Sequence, residues 1–291
     1  MPRPIIDEAL VQRLLAEQFP IWASLAVQRV SPGGWDNRTF RLGEDLLARL
    51  PSAERYAAQV EREQRCLPQL AAVLPTAIPI PMARGRPGRG YPFDWSIYKW
   101  IDGDPLATAE LWRSTELACQ LAGFLRALQS CPADAGPPPG VENFHRGGSL
   151  AAYDDEMRSA LARLNLDLQS PLRQVWRDAL SSEWSERAVW VHGDFAPRNL
   201  LVRGDLLVGV IDFGQVAVGD PACDLAITWT YLRGPARSAF RDNVGADAAT
   251  WARARGWAAW KAAILLSGVA HGPKPDTDAA TVTIQSLLQD P

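Results

Sequence analysis

"VHGDFAPRNLLVRGDLLVGVIDFGQ", residues 191–215, is the stretch on which the fold turns. Asp194 sits on a loop after an apolar strand. Asn199 closes that loop and starts the next strand, and Asp212 ends a third, just before Phe213-Gly214. Adjacent hairpin strands would bring these loop groups together. A carboxylate and an amide oxygen at one point make a magnesium site when phosphates supply further oxygen ligands. A second carboxylate nearby, not committed to metal, can orient a hydroxyl and accept its proton. Each residue alone reads as an Asx turn cap. Together, at this spacing, they read as chemistry.

Working outward, the first half of the chain alternates short strands with turns. "LAVQRV" (25–30), "RTFRL" (38–42) and "LLARL" (46–50) predict three antiparallel strands joined by "SPGGWDN" and "GED". A helix is expected over 53–74, opened by Pro51-Ser52 and closed near Pro75. "TAIPIPMARGRPGRGYPF" allows only short edge strands and a turn. "WSIYKWI" (95–101) reads as a strand stopped by "DGDP". Helical periodicity then runs over 110–129, 149–165 and 170–184, interrupted by the linker-like "CPADAGPPPG". From Pro221 the chain reads as helical, with breaks at Gly234-Pro235 and Gly272-Pro273. This order predicts an α+β protein of two lobes: 1–97, a connector at 98–103, and a mostly helical 104–291. The cleft between them is the expected ligand site.

Composition bounds the partners. The 291 residues carry a formal net charge of -3, with 47% hydrophobic and 22% charged residues. No basic field suits a nucleic acid. No stretch is long enough for a membrane span. The N-terminus reads as an amphipathic helix through Leu10, Val11, Leu14, Leu15 and Phe19, not a signal peptide. Cys66, Cys119, Cys131 and Cys223 are scattered, as expected of thiols in a reducing cytosol. The three histidines, His145, His192 and His271, are too dispersed for zinc.

The pattern His192-Gly193-Asp194, Asn199, Ile211-Asp212-Phe213-Gly214 and "DPACDLA" (220–226) resembles the aminoglycoside phosphotransferase family, antibiotic and small-molecule kinases with a protein-kinase-like fold. The resemblance implies that Asp194 is the catalytic Asp and that Asn199 and Asp212 ligate Mg2+. His192, Asp220 and Asp224 read as structural support, Asp220-Pro221 being a helix cap and first residue. ATP or GTP would be the phosphoryl donor and a hydroxylated small molecule the acceptor.

On the nucleotide side, Ser31, Gly33, Gly34 and Asn37 could turn backbone N–H groups over the phosphates, or could form only a turn. The family has Lys on the third strand, where this chain has Arg49. Glu63 matches the family's helix Glu, with Glu61 as the competing partner. Arg can bond phosphate in bidentate fashion; a solvated strand charge is the alternative. The resemblance places adenine along Tyr98, Lys99, Trp100 and Ile101, with the Lys99 side chain facing solvent. For the acceptor, Asp154, Asp155 and Glu156 could attract a cation or could simply open a helix. Trp229, Trp257 and Trp260 could line an apolar pocket or fill a core.

These features predict an O-phosphotransferase acting on an antibiotic, macrolide-like or aminoglycoside, in the cytoplasm. The alternatives are a metabolic sugar or amino-alcohol kinase and a nucleotide-binding module without transfer. A protein kinase fits less well, since only Gly214–Gly219 separates Phe213 from "DPACDLA".

Overall fold

The computed structural model describes residues 5–31, 33, 34, 36–270 and 274–289. Helix α1 (Glu8–Gln18) is capped by Asp7, whose carboxylate accepts from Leu10 N at 2.8 Å. Its Leu10, Val11, Leu14 and Leu15 are buried. Strands β1 (Val27–Arg29), β2 (Asn37–Leu42) and β3 (Leu46–Pro51) follow. Helix α2 (Ala58–Ala71) leads to β4 (Pro81–Gly85) and β5 (Trp95–Lys99). The five strands form one antiparallel sheet in the order β1-β2-β3-β5-β4. Along β2, Phe40 and Leu42 turn into the core while Arg41 faces out, the alternation expected of a half-exposed sheet.

The predicted opening of α2 at Pro51-Ser52 is displaced. Pro51 stays in β3 opposite Asn37, and its carbonyl accepts from Tyr91 Oη at 2.9 Å. A 3-10 turn, Glu54–Tyr56, intervenes before the helix. Pro68 then sits inside α2, where it ends nothing.

Beyond the connector lie β6 (Asp104–Pro105), α3 (Thr115–Gln129), α4 (Asp154–Arg163) and α5 (Leu166–Leu180). Helix α3 starts five residues later than periodicity predicts, because Ser114 caps it by accepting from Leu117 N at 3.1 Å. Helix α5 starts four residues earlier than predicted and carries Pro171 within it. The strand cluster splits in two. Strand β7 (Val189–Val191) pairs with β10 (Ala217–Gly219), while β8 (Leu200–Arg203) and β9 (Leu206–Val210) form a hairpin with β6 at its edge. Helices α6 (Ile227–Thr230), α7 (Pro235–Val244), α8 (Ala248–Leu266) and α9 (Lys274–Gln289) complete the chain. The predicted break at Gly234-Pro235 is present; that at Gly272-Pro273 lies outside the described residues.

Two apolar cores result. One joins α1 to the five-stranded sheet through Leu14, Phe40, Leu50 and Trp95. The larger one fills the helical half. Cys66, Leu67 and Leu70 of α2, with Ile78 and Tyr98, belong to this second core although they precede or open the connector. So α2 is nailed to both halves. Helix α8 is buried along most of its length. Its Gly256 admits α5: a Cβ there would stand 2.5 Å from Ala179 Cβ.

Candidate active site

The loop between β7 and β8 is held from below. Asp224 accepts from His192 N at 2.7 Å and from Gly193 N at 2.8 Å, one oxygen to each. Burial pushes the Asp224 carboxyl up, and His192 and the two backbone donors pull against it. The His192 ring accepts from Asp194 N at Nδ1, 3.2 Å, and meets the Ile211 carbonyl at Nε2, 3.0 Å. A carbonyl can only accept, so these partners assign the proton to Nε2. His192 thus ties the Asp194 loop to the strand that leads into Asp212. Gly193 has φ +84°, and a Cβ there would stand 2.3 Å from the Gln215 carbonyl oxygen. The Gly of His-Gly-Asp lets the two loops touch.

Asn199 Nδ2 donates to the Asp194 carbonyl at 2.9 Å and to Asp194 Oδ2 at 3.0 Å. The backbone carbonyl of Asn199 accepts from Ile211 N at 2.8 Å, which sets Asn199 beside Asp212. Asp212 itself has φ +66°, a left-handed conformation uncommon for Asp. The structure therefore brings together Asp194, Asn199 and Asp212. With its amide nitrogen spent on Asp194, Asn199 keeps its amide oxygen as a donor to a cation. That oxygen and the Asp212 carboxylate would make a hard-oxygen pair of the kind Mg2+ takes, were phosphates to complete the shell.

At the sheet end, Arg49 spans two carboxylates: Nη1 to Glu63 Oε1 at 2.8 Å and Nη2 to Asp212 Oδ1 at 2.6 Å. Glu63, not Glu61, is the partner; Glu61 lies on the surface near Arg84. Tyr98 Oη donates to the other Glu63 oxygen. Burial opposes the charge on Arg49, but Asp212 and Glu63 outweigh it and raise its pKa further. Burial and the adjacent Glu63 push the Tyr98 hydroxyl well up, so it stays a donor.

Ser31, Gly33 and Gly34 are exposed at the β1–β2 turn. Asn37 is not. It is buried, and its Nδ2 donates to Gln59 Oε1 on α2 at 3.2 Å, so its side chain braces the turn from beneath. Lys99 is exposed. Trp100 donates to Asp102 Oδ1 at 2.6 Å and carries Arg41 over its ring. Lys99, Trp100 and Ile101 line a cavity of about 370 Å³ with Ile78, Ile80 and Val208. Arg49, Asp194 and Asp212 do not line it, so it is separate from the charged cluster.

Three of the expected acceptor residues, Asp154, Glu156 and Trp229, are otherwise engaged. Asp154 accepts from Trp176 Nε1 at 2.8 Å and pairs with Arg158. Trp229 is wholly buried against Trp251, with Arg241 stacked on both rings. It is core, since its indole has no surface left to offer. Asp155 is exposed, and Glu156 accepts from Trp260 Nε1 at 3.1 Å. Trp257 and Trp260 are also largely buried, around Tyr153.

Over these rings lies Arg146, its guanidinium 4.9 Å from Trp257 and 5.2 Å from Trp260, with Nε bonded to Gln215 Oε1 at 2.9 Å. Lys261 reaches from α8 to Asp194, Nζ to Oδ1 at 3.1 Å. Burial would raise the Asp194 pKa, but Lys261 and Arg146 hold it at about 2. Neither cation is singled out by sequence reasoning. A signal for Lys261 does exist: it is the sole charge in the apolar run Gly256–Leu266. Arg146 carries no such signal, because its ring partners come from distant elements.

Asp220 anchors that helix. Its carboxylate caps the following 3-10 turn through Ala222 N at 3.0 Å and takes Arg253 of α8, Nε to Oδ2 at 2.6 Å, in a buried ion pair. "DPACDLA" is thus a bracket, with Asp224 gripping the catalytic loop and Asp220 gripping α8.

A family model described as the phosphotransferase enzyme family matches residues 27–257. The chain belongs to that family. Over 118 residues it is 35% identical to an aminoglycoside 3'-phosphotransferase of Escherichia coli, which is 38% of this chain and 42% of that protein. An aminoglycoside 3'-phosphotransferase of Salmonella typhimurium matches over the same share at 34%. The match thus spans less than half the length of these relatives. Among solved structures, the GDP and kanamycin complex of an aminoglycoside 2''-phosphotransferase superposes with TM-score 0.72 at 20% identity, covering 97% of this chain and 98% of that one. A macrolide 2'-phosphotransferase of Brachybacterium faecium superposes with TM-score 0.60 at 21% identity, covering 94% and 97%. These structures share the two-lobe α+β fold with this chain. No helix among the described residues is long and apolar enough to cross a membrane.

Proposed function

We propose that this protein transfers the terminal phosphoryl group of ATP or GTP to a hydroxyl of a small molecule, in the manner of its antibiotic-modifying relatives. The observation that carries this is the meeting of Asp194, Asn199 and Asp212 at one end of a charged line that ends on Arg49 and Glu63. Asp194, ionised at neutral pH, accepts the proton of the acceptor hydroxyl. The hydroxyl oxygen bonds to phosphorus as the bond from phosphorus to the nucleoside diphosphate breaks. Arg49 releases one carboxylate contact to a phosphate and keeps Glu63, which holds its fork in place. Mg2+ bound with the nucleotide would neutralise phosphate charge, and Asn199 and Asp212 are the residues that would hold it. The nucleotide base lies along the connector near Tyr98–Ile101. Catalysis is then mainly positioning and electrostatics.

For the acceptor, the charges beside Asp194 favour a molecule with few positive charges, macrolide-like in that respect. Lys261 and Arg146 flank the base, while Asp154 and Glu156 bond indole N–H groups. A polycation gains most from uncommitted carboxylates, and this wall supplies cations instead. The test is acceptor-dependent ADP or GDP release across macrolides, aminoglycosides and small sugar alcohols at two salt concentrations. A clear preference for a multiply charged aminoglycoside, weakening as salt rises, would sink the acceptor assignment. Release with none of the hydroxyl compounds would sink the transfer itself.

A further inference from the structure

The Asp194 carboxylate has two side-chain donors among the described residues. Asn199 is local, five residues along the loop, and bonds Oδ2. Lys261 is remote, on α8, and bonds Oδ1. The loop has a cation of its own, Arg198, but that side chain turns away to Asp276 at the start of α9. The ammonium at the base is therefore imported from a helix that is otherwise driven into the core. Lys261 is 45% exposed, so its long stem is free to rotate. Arg146 is not: three aromatic rings and Gln215 hold its guanidinium. Arg49, on β3, is tied to Glu63.

We propose, resting on the phosphotransfer reading above, that Lys261 is a further catalytic residue whose ammonium bonds an equatorial oxygen of the phosphoryl group in flight. An acceptor hydroxyl on Asp194 sits roughly 2.6–3.2 Å from the carboxylate. The phosphorus it attacks stands roughly 3–3.5 Å beyond. An ammonium already on the same carboxylate reaches the equatorial oxygens by side-chain rotation alone. Negative charge spreads over those oxygens during transfer, and a cation placed there stabilises it in a site that has lost water. Lys261 keeps its three protons throughout. The hydroxyl proton passes to Asp194, and the leaving electron pair stays on the nucleoside diphosphate.

The test uses the full chain and water as acceptor, following hydrolysis of Mg-ATP and Mg-GTP, with erythromycin and kanamycin as added acceptors. Lys261→Ala should lower kcat roughly tenfold or more, the scale of a lost charged hydrogen bond. Nucleotide Kd and melting temperature should stay as in the wild type, and Lys261→Arg should recover part of the rate. Sulfur in place of one transferred oxygen, as in ATPγS, should slow the wild-type enzyme, and that slowing should shrink in Lys261→Ala. Unchanged kcat in Lys261→Ala, alongside a collapse in Asp194→Asn, overturns the inference and leaves the reading standing. A kcat loss with an undiminished sulfur effect overturns the phosphoryl contact and leaves Lys261 only holding Asp194. Full turnover in Asp194→Asn, or a wild-type chain that turns over neither nucleotide with any acceptor, overturns the reading and the inference together.

Discussion

Asp194 and Asp212 are partly exposed; Asp220 and Asp224, a short way along the same chain, are buried. Each of the exposed pair meets a long cationic side chain, Lys261 at Asp194 and Arg49 at Asp212. The oxygens of the buried pair are taken by fixed donors: backbone N–H groups for Asp224, a cap and a buried guanidinium for Asp220. One residue type thus serves two ends. A carboxylate with an exchangeable partner can take a metal or a proton. A carboxylate whose partners are fixed and dry can only hold shape, and removing it strands the partner.

The largest expected effect tests the buried pair. Asp220→Ala leaves the Arg253 charge buried and unpaired, so it should cost about 3–5 kcal/mol of stability. Urea denaturation would read this as a lowered midpoint; an unmoved midpoint would mean that α8 is anchored without the pair. Next comes Asp194→Asn, which should lower turnover roughly a hundredfold or more while melting temperature and Mg-nucleotide affinity change little. Should it melt early instead, the division between working and holding carboxylates fails at its clearest point. Asp212→Ala should weaken Mg-dependent nucleotide binding roughly tenfold or more, since outer-shell changes alone reach that scale. Calorimetry with Mg-ATP checks it, and unchanged binding would remove Asp212 from the metal site. Arg49→Lys keeps the charge but loses the fork between Glu63 and Asp212. Its nucleotide KM should rise several-fold, with part of the turnover kept, whereas Arg49→Ala should lose more. Last, Asp155→Asn should shift stability by less than about 0.5 kcal/mol, as for a surface carboxylate. A larger loss, or a change in acceptor KM, would give that exposed residue a partner the fold does not show.

Local signals made much of this legible. The spacing of Asp194, Asn199 and Asp212 survives folding because each lies at a strand end, and a hairpin carries its loop groups to one place. Period-two burial in Phe40 and Leu42 marked the sheet, and apolar periodicity marked α1 and α3. Element ends were less legible. Pro51 reads as a helix opener, yet pairing with Asn37 keeps it in β3. Asp154 reads as a helix-opening charge or a ligand, and only the Trp176 indole, twenty-two residues on, makes it a support.

By itself the sequence determined which groups could do chemistry, because strand ends, turns and caps are set by neighbours within a few residues. The tertiary structure alone decided what those groups face. Whether Trp229 is wall or core, whether Arg49 leans on Glu61 or Glu63, and which cation reaches Asp194 all depend on contacts between residues far apart in the chain. Lys261 is the sharpest case. Its position marks a lone charge in an apolar run, and only the packing of α8 against the bracket formed by Asp220 and Asp224 brings Asp194 to it.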